Sequence, residues 1–349
     1  MKRIEISRPG GYERLELVER PDLVVEPSTI VVDVHAAGVN YADCIVRMGL
    51  YESAKKYVGW PITPGFEFAG RVRAIADDVS GVGVGDPVFG VTRFFGYSSQ
   101  VRVPPHQVFA IPDGWSVEQA ASFPTVFLTA WYALRELCKL RPGMNILVHS
   151  ASGGVGSAAL QIGSAFGCRP VGVVGKEHKV EQARDNGAVE VIVKSRDDLW
   201  TRIREAAPGG YHVALDPNGE ETLMHSYKAL RPTGRLVVYG FSSMIPKDRG
   251  RPSYAKLAYK YLKTPRFNPI LMTGSNKAVM AFNLSYLFEE SDLLGEAMSE
   301  LLGLAGQGSL KPLPVRRYSL ADVGRAHRDL ESGDTTGKLV LVMGAGELG

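Results

Sequence analysis

Cysteine is scarce in this chain of 349 residues: the three present are Cys44, Cys138 and Cys168, and the closest two are 30 positions apart. An odd, widely spaced set argues against a disulfide framework and against a Cys-x-x-Cys metal knuckle. We therefore expect a reducing compartment, the cytoplasm.

An excess of one charge and long apolar runs are also lacking. With 40 Lys and Arg against 37 Asp and Glu, the formal net charge is +3, which provides no broad field for nucleic acid or an anionic membrane. The most apolar stretch, residues 126–134, is far shorter than the roughly 20 residues that span a bilayer, and no apolar signal segment follows the N-terminus. We expect a small-molecule substrate, no nucleic acid and no transmembrane segment.

The length favours two domains, and the texture of the chain changes between them. The first third contains β-branched runs such as 29–36, separated by glycine and proline turns, which predicts a compact β-rich domain. Before residue 145, Ser116 and Gln119 predict a helix-capping box, and a longer helix is predicted at about 126–140. From residue 145 strands alternate with helices: we predict strands at 145–149, 170–174, 189–193, 212–216 and 234–239, and helices at 154–166, 179–186, 199–206 and 220–230. A further strand is predicted at 277–284. This alternation predicts an α/β fold with a doubly wound parallel sheet, into which the last strand and helix pieces do not fit; we expect them to return to the first domain.

The most informative segment joins the first of these strands to its helix. Residues 151–156 follow the spacing G-x-G-x-x-G with alanine in the first place. Small residues here let a dinucleotide pyrophosphate approach the helix N-terminus, and a tight strand–helix turn without a ligand is the alternative. The predicted cofactor-binding residues of this loop are Ser152, Gly153, Gly154, Val155 and Gly156.

The end of the second strand distinguishes NADP from NAD. An NAD site has an acidic residue at this strand tip for the ribose 2′-hydroxyl, whereas here Gly175 is followed by Lys176 and Lys179. The lysines are suited to a 2′-phosphate. Glu177 would serve as the ribose acid if the register were shifted by one residue. We expect NADP.

The order of a small β domain, a dinucleotide domain and a return segment resembles the medium-chain dehydrogenase/reductase superfamily. Segments 37–43 (Ala-Gly-Val-Asn-Tyr-Ala-Asp) and 47–51 (Arg-Met-Gly-Leu-Tyr) resemble the quinone oxidoreductase signature, and 64–70 matches its Gly-x-Glu-x-x-Gly element. Segment 279–287 is most similar to the vesicle amine transport protein branch. The resemblance implies a discontinuous GroES-like catalytic domain at 1–122 and 285–349, an inserted Rossmann NADP-binding domain at 123–284, and a homodimer.

The departures from zinc alcohol dehydrogenases bear on the chemistry. By this resemblance, Asn40 stands at the first zinc-ligand position and Phe66 at the histidine position. Phenylalanine cannot bind a metal and asparagine is a poor zinc ligand, so we expect none. Without a Lewis acid, quinones and α,β-unsaturated carbonyls are the acceptors that take hydride more easily.

The resemblance also implies roles for single residues. Asn40 would hydrogen-bond a substrate carbonyl or the cofactor amide, and Tyr51 matches the proton-donating tyrosine of enoyl-thioester reductases, unless it only packs at a turn. Asp43 and Glu67 are expected to be structural. Further cofactor contacts are implied for Thr129, Phe241, Phe282, Leu284 and Lys338.

A basic and aromatic insertion, residues 249–267, interrupts the strand–helix alternation. We expect a solvated helix face whose aromatic side chains pack on the body of the protein. A lid over the substrate cleft, or a contact with an anionic membrane or nucleic acid, are the alternatives.

Together these features predict a zinc-independent, NADPH-dependent oxidoreductase that transfers hydride to a quinone or an α,β-unsaturated carbonyl. An enoyl-thioester reductase is one alternative. The other is a cofactor-binding protein without turnover, structural or membrane-associated.

Overall fold

A computed structural model describes residues 1–245 and 250–344. The strands are β1 (Lys2–Glu5), β2 (Glu16–Glu19), β3 (Ile30–Val39), β4 (Glu67–Ile75), β5 (Pro87–Val91), β6 (Gln100–Val103), β7 (Val108–Ala110), β8 (Asn145–Val148), β9 (Arg169–Val174), β10 (Glu190–Val193), β11 (Tyr211–Asp216), β12 (Leu230–Val238), β13 (Ala278–Ala281), β14 (Val315–Ser319) and β15 (Lys338–Val342). The helices are α1 (Tyr41–Arg47), α2 (Glu52–Tyr57), α3 (Val117–Ala121), α4 (Pro124–Trp131), α5 (Gly154–Ala165), α6 (Val180–Asp185), α7 (Leu199–Ala206), α8 (Leu223–Ala229), α9 (Tyr254–Lys263), α10 (Pro269–Ser275), α11 (Ser291–Gly306) and α12 (Val323–Ser332).

One sheet gathers strands from both ends of the chain. Its order is β14-β15-β3-β4-β5-β7, with β6 also paired to β3. The C-terminal strand β15 runs antiparallel to β3, with Leu339 opposite Val39. The prediction that the last strands return to the first, GroES-like lobe is therefore confirmed. The boundaries at residues 122/123 and 284/285 stay a prediction.

The other sheet is parallel throughout, in the order β10-β9-β8-β11-β12-β13. Helices cover both of its faces, so the central strand β8 is a continuous apolar run whose Ile146, Leu147 and Val148 are all buried. The strand order reverses between β8 and β11. In a doubly wound sheet of this Rossmann type, the crevice at the carboxyl ends of such strands is where ligands bind. The predicted α/β fold class is confirmed.

Three elements differ from the sequence predictions. The expected helix at 126–140 is α4 followed by a π-helix at Tyr132–Leu137, and α4 begins two residues earlier because Pro124 is suited to the first helical turn. Strand β12 begins at Leu230 rather than at residue 234. The strand expected at 277–284 ends at Ala281, because the Asn283 side chain accepts a hydrogen bond from the Ser285 N–H and starts a 3₁₀ turn there.

The basic and aromatic insertion forms α9 and α10. The expectation that its aromatic side chains pack on the body is wrong for Tyr254, Tyr259 and Tyr261, which are exposed. Phe267 alone among the four predicted aromatics packs inward, against Tyr227 at 5.2 Å between ring centroids. Arg249, which the sequence placed in this insertion, lies outside the described residues. Within the described part of the chain, no helix is both long and apolar enough to cross a bilayer.

Candidate functional site

The glycine loop leads from β8 into α5 at the carboxyl edge of the parallel sheet. A Cβ on Gly156 would lie 2.3 Å from the Ser150 carbonyl oxygen and 2.8 Å from the Ala151 Cα, so glycine is required for this close backbone approach. The N-cap residue Gly153 offers no side chain to cap the helix. The first-turn N–H groups of α5 therefore stay available to an anion, as a pyrophosphate cradle requires.

Gly154 brings this loop against two other elements. A Cβ at this position would lie 2.7 Å from Cγ1 of Val126 in α4 and 3.6 Å from Cδ of Lys338 in β15. Ser152 is buried within the loop, and Thr129 in α4 is buried with its hydroxyl donating to the Thr125 carbonyl at 2.7 Å. The predicted dinucleotide loop thus lies next to the first residue of β15.

The two lysines after β9 are both engaged by the segment that follows α12. The ammonium of Lys179 is buried and donates to the carbonyls of Gly333 and Thr335 at 2.6 and 3.0 Å. Lys176 is more than half exposed and forms an ion pair with Asp334 at 2.6 Å. Gly175 has open space around its Cα, so the tip of β9 can be approached closely. The more accessible of the two cations is Lys176.

Arg196 is a neighbour of this tip that the sequence analysis missed. It lies just after β10, the next strand of the sheet, and its guanidinium pairs with Glu177 at 2.8 Å and with Asp197 at 2.9 Å. Glu177, the alternative ribose acid, is therefore neutralised by an arginine. Its position in the sequence could have revealed it: Arg196 follows the predicted strand next to β9, and the carboxyl ends of adjacent parallel strands meet at one edge of the sheet.

A buried polar cluster, the Asn40–Glu67–Lys338 cluster, lies where β3 ends and where β4 and β15 begin. The Lys338 Nζ donates to the Val39 carbonyl at 2.9 Å, to Asn40 Oδ1 at 2.7 Å and to Glu67 Oε1 at 2.6 Å. Asn40 Nδ2 donates to Glu67 Oε1 at 2.8 Å, and the Thr125 N–H donates to Glu67 Oε2 at 2.8 Å. Both carboxylate oxygens and all three ammonium hydrogens are thereby used. Glu67, expected to be structural, lies at the centre of the site.

Asp43 fixes the backbone that carries Asn40. Its carboxylate accepts the N–H groups of Asn40 and Gly65, each at 2.8 Å, and the Tyr97 hydroxyl at 2.9 Å. Burial raises the pKa of Asp43 to about 7, while these three hydrogen bonds oppose the rise. The expected structural role of Asp43 agrees with this geometry, because it holds the start of α1 in place.

Tyr51 lies at the start of α2, with its hydroxyl donating to Asn283 Oδ1 at 2.8 Å. Its ring packs edge-on against Phe66 and Phe94, at 5.6 and 6.5 Å between centroids. Burial raises the pKa of Tyr51 to about 12, so the phenol keeps its proton at neutral pH. Because Asn283 stands between Phe282 and Leu284, this hydrogen bond connects Tyr51 to the segment that carries two of the implied cofactor contacts.

Phe282 and Phe241 flank the carboxyl end of β12. The Phe282 ring lies 4.8 Å from the ring of Tyr132, between centroids, and its N–H donates to the Val238 carbonyl. Phe241 is partly exposed and packs on Gly219, where a Cβ would lie 2.5 Å from its Cδ1. The structure thus brings Asn40, Lys338 and the glycine loop together, with Tyr51 joined to them through Phe66, while Phe241 lies against a different loop.

Comparisons with known proteins agree with this arrangement. A family model for the alcohol dehydrogenase GroES-like domain matches residues 26–113, and one for zinc-binding dehydrogenases matches residues 186–341. The rat synaptic vesicle membrane protein VAT-1 homolog is 32% identical over 342 residues, which cover 96% of this chain and 82% of that protein. A quinone oxidoreductase of Pseudomonas aeruginosa is 32% identical over 343 residues, covering 98% and 99%.

The chain belongs to the quinone oxidoreductase family of the medium-chain dehydrogenase/reductase superfamily. It is therefore an oxidoreductase of this superfamily. The solved structure of Escherichia coli quinone oxidoreductase complexed with NADPH is similar over 98% of this chain and 100% of that one, with a TM-score of 0.85 and 29% identity. The CurK enoyl reductase structure is similar over 98% of this chain and 99% of that one, with a TM-score of 0.83 and 27% identity.

The zinc named by one of these family models does not fit the residues of this member of the superfamily. Phe66 has no donor atom, Glu67 already accepts hydrogen bonds on both oxygens, and Asn40 Oδ1 is bound to the Lys338 ammonium. A positive charge buried beside the donor atoms would repel a divalent cation.

A second group of metal-type ligands, Cys44, His327 and Glu331, is buried between α1 and α12. Arg47 occupies this group: its guanidinium lies 3.1 Å from His327 Nδ1 and 2.7 Å from Glu331 Oε1. The other His327 nitrogen faces the Tyr97 hydroxyl at 3.3 Å. The His327 and Glu331 side chains are thus bound to the Arg47 guanidinium and to Tyr97. We conclude that this group is a structural hydrogen-bond network.

Proposed function

We propose that this protein is a zinc-independent, NADPH-dependent oxidoreductase that transfers hydride to a quinone or an α,β-unsaturated carbonyl. The observation that carries the proposal is the Asn40–Glu67–Lys338 cluster beside the glycine loop. By the family resemblance, the amide of Asn40 stands at the first zinc-ligand position and Phe66 replaces the histidine. The Lys338 ammonium donates a hydrogen bond to that amide. The relatives named quinone oxidoreductase support the acceptor class.

The dinucleotide would be held mainly by backbone groups. Gly154, Val155 and Gly156 offer the open first-turn N–H groups of α5 to the pyrophosphate, and Ser152 and Gly153 form the turn before them. Gly175 leaves room at the ribose. Lys176, Lys179 and Arg196 are the proposed positive charges near a 2′-phosphate, with Lys176 the most accessible. When bound, the dinucleotide supplies the hydride. Proposed contacts near the nicotinamide come from Thr129, Phe241, Phe282, Leu284 and Lys338.

Asn40 is the proposed polar contact to the reacting carbonyl or to the cofactor amide. Its Oδ1 is held by Lys338 and one Nδ2 hydrogen by Glu67, so the amide plane is fixed and the second Nδ2 hydrogen is the remaining donor. One neutral donor polarises a carbonyl far less than zinc does. Quinones and conjugated carbonyls are acceptors whose reduction needs less polarisation, which matches this donor.

A panel of acceptors tests the proposal. NADPH oxidation is followed with a series of quinones, enals and enones, together with simple ketones, for the wild type and for Asn40→Ala. We expect turnover with the first three classes, none with simple ketones, and a loss of turnover of about tenfold or more in the variant. If NADPH binds tightly but no acceptor is turned over, the chain is a cofactor-binding protein without turnover and the proposal fails.

Tyr51 favours a second candidate, an enoyl-thioester reductase. Its protonated phenol faces the segment with Phe282 and Leu284, and the CurK enoyl reductase is among the similar structures. In this case Tyr51→Phe lowers turnover of an enoyl thioester by orders of magnitude and spares quinone reduction. Tyr57→Phe, a nearby ring in α2, is the matched control. Equal effects of Tyr51→Phe on both substrates, or none on either, contradict this candidate.

The domain division at 122/123 and 284/285 and a homodimer belong to the same proposal. Strand β13 is at the edge of the parallel sheet and offers its backbone for pairing with a second copy. Sedimentation equilibrium of the wild type tests the dimer.

A further inference from the structure

The loop that joins α12 to β15, residues 333–337, lies between the two ends of the candidate site; we call it the α12–β15 loop. Its first residues contact Lys176 and Lys179 at the tip of β9. Its last residue is followed directly by Lys338, the ammonium of the buried cluster. Since β15 belongs to the GroES-like sheet, the loop brings that lobe against the position proposed for the ribose 2′-phosphate.

The backbone of the loop is held on both sides of Asp334. The buried ammonium of Lys179 donates to the Gly333 carbonyl at 2.6 Å and to the Thr335 carbonyl at 3.0 Å. The N–H of Asp334 itself donates to Ser332 Oγ at 3.1 Å. These three hydrogen bonds fix the backbone of Asp334, so its carboxylate stays beside the tip of β9 whether or not Lys176 binds it.

The Asp334 carboxylate is the partner of Lys176, the more accessible of the two lysines. Its Oδ1 lies 2.6 Å from the Lys176 Nζ, and both side chains are more than half exposed. The hydrogen bond from Lys176 lowers the pKa of Asp334, so the carboxylate is ionised at neutral pH. An exposed ion pair of this kind contributes little to stability, so a stronger anion can replace the carboxylate.

The two dinucleotides differ in the anion that they bring to this position. The 2′-phosphate of NADPH is a monoester with a charge of about −1.5 to −2 at neutral pH, whereas NADH has a neutral hydroxyl there. The ammonium of Lys176 is a single compact charge, so a carboxylate and a phosphate compete for it. A carboxylate that remains beside the bound phosphate repels it.

We propose that Asp334 is a specificity-determining residue that competes with the 2′-phosphate of NADPH for Lys176. It occupies the ammonium when no phosphate is bound, and NADPH has to displace it, whereas NADH does not. Asp334 therefore lowers the preference of the protein for NADPH over NADH. This inference rests on the proposed function, because it takes Lys176 to be a ligand of the 2′-phosphate.

Isothermal titration calorimetry of the full chain with NADPH and with NADH tests the proposal. Asp334→Asn removes the competing charge and keeps the size of the side chain. We expect the affinity for NADPH to rise about fivefold and the affinity for NADH to stay unchanged. When Lys176→Ala is also present, Asp334→Asn should change the affinity for NADPH by less than about twofold, because the two residues act through one ion pair.

Asp113→Asn is the matched control, since it removes one negative charge from an exposed acid in the turn after β7. It should bind both dinucleotides as the wild type does. The melting temperature of Asp334→Asn without dinucleotide should equal that of the wild type, which shows that the gain in affinity does not come from a change in folding.

The outcomes separate this inference from the proposed function. Weaker NADPH binding by Asp334→Asn would assign the carboxylate to positioning Lys176, and an equal gain with and without Lys176 would assign the effect to net charge; either result overturns the inference. If Lys176→Ala weakens NADPH binding but Asp334→Asn leaves it unchanged, the inference fails and the proposed function stands. If Lys176→Ala leaves NADPH binding unchanged, the proposed phosphate site fails together with the inference.

Discussion

The glycine loop and the Asn40–Glu67–Lys338 cluster are neighbours, but they differ in whether their polar groups already have hydrogen-bond partners within the protein. At the start of α5 the backbone donors have no capping side chain, and glycines at 154 and 156 let the loop pack closely on Val126 and on the Ser150 carbonyl. In the cluster, the ammonium and the carboxylate are both buried, all three ammonium hydrogens are donated, and both carboxylate oxygens accept hydrogen bonds. The first region is arranged to receive a ligand, whereas the second fixes the direction of its own side chains. The following predictions test this contrast, beginning with the largest effect.

Removing one charge of the buried cluster should be the most damaging change. Lys338→Met leaves the Glu67 carboxylate without its cation, and Glu67→Gln leaves the ammonium without its anion. Each is expected to lower the free energy of unfolding by about 3–5 kcal/mol, because an unpaired buried charge is costly. Urea unfolding of both variants and of the double variant measures this.

The double variant is the control, since it removes both charges together. It should be more stable than the sum of the two single losses predicts, by about 1–3 kcal/mol. Strict additivity would show that the two charges do not stabilise one another.

Closing the open region should mainly affect binding. In Gly156→Val the new side chain meets the Ser150 carbonyl, which displaces the loop, and NADPH affinity is expected to fall about 100-fold or more. Isothermal titration calorimetry gives the affinity. Gly295→Ala is the control: this glycine lies within α11 with open space around it, so alanine should leave binding unchanged. An NADPH affinity in Gly156→Val close to that of the wild type would contradict the proposed cradle.

Substitutions of the two lysines after β9 should distinguish the preference for NADPH over NADH from the structural contact with the segment after α12. Lys176→Ala removes an accessible charge and is expected to weaken NADPH binding about tenfold while leaving NADH binding unchanged. Lys179→Met removes the donor to Gly333 and Thr335, so it should lower the melting temperature as well. Lys55→Ala, in α2, is the matched surface control. A preference of the wild type for NADH would reject the assignment of this strand end.

The smallest effect concerns pH. Burial lowers the pKa of His327 well below its usual range, and the charge of Arg47 acts in the same direction. In the unfolded chain the His327 imidazole binds a proton near pH 6.5, whereas in the native state it stays neutral at that pH. The free energy of unfolding therefore falls as the pH drops below about 6.5. His327→Gln should reduce this dependence in urea unfolding between pH 7 and pH 5. His178→Gln, an exposed position, should not; equal slopes in all three proteins would show that His327 is not responsible.

Local sequence patterns predicted the elements that depend on local chemistry. The capping box of Ser116 and Gln119, the glycine loop at the end of β8 and the parallel strand–helix alternation all form as expected, because each is decided within a few residues. The predicted ends of helix α4 and strand β13 were wrong. The π-helix at Tyr132–Leu137 ends α4, and the Asn283 side chain ends β13. The side of the insertion that faces solvent also had to come from the structure, because a helical pattern of tyrosines and lysines fits either orientation.

By itself, the sequence determined the fold class, the two-lobed organisation and the absence of histidine at the position of a zinc ligand. Those follow from residue types, spacing and family motifs along the chain. Only the tertiary structure decided that Glu67 lies at the centre of the site, that Lys338 neutralises it, and that Lys179 is buried against Gly333 and Thr335. These pairs join residues more than 150 positions apart, and hydrogen-bond direction and burial at such distances depend on packing that no local pattern encodes.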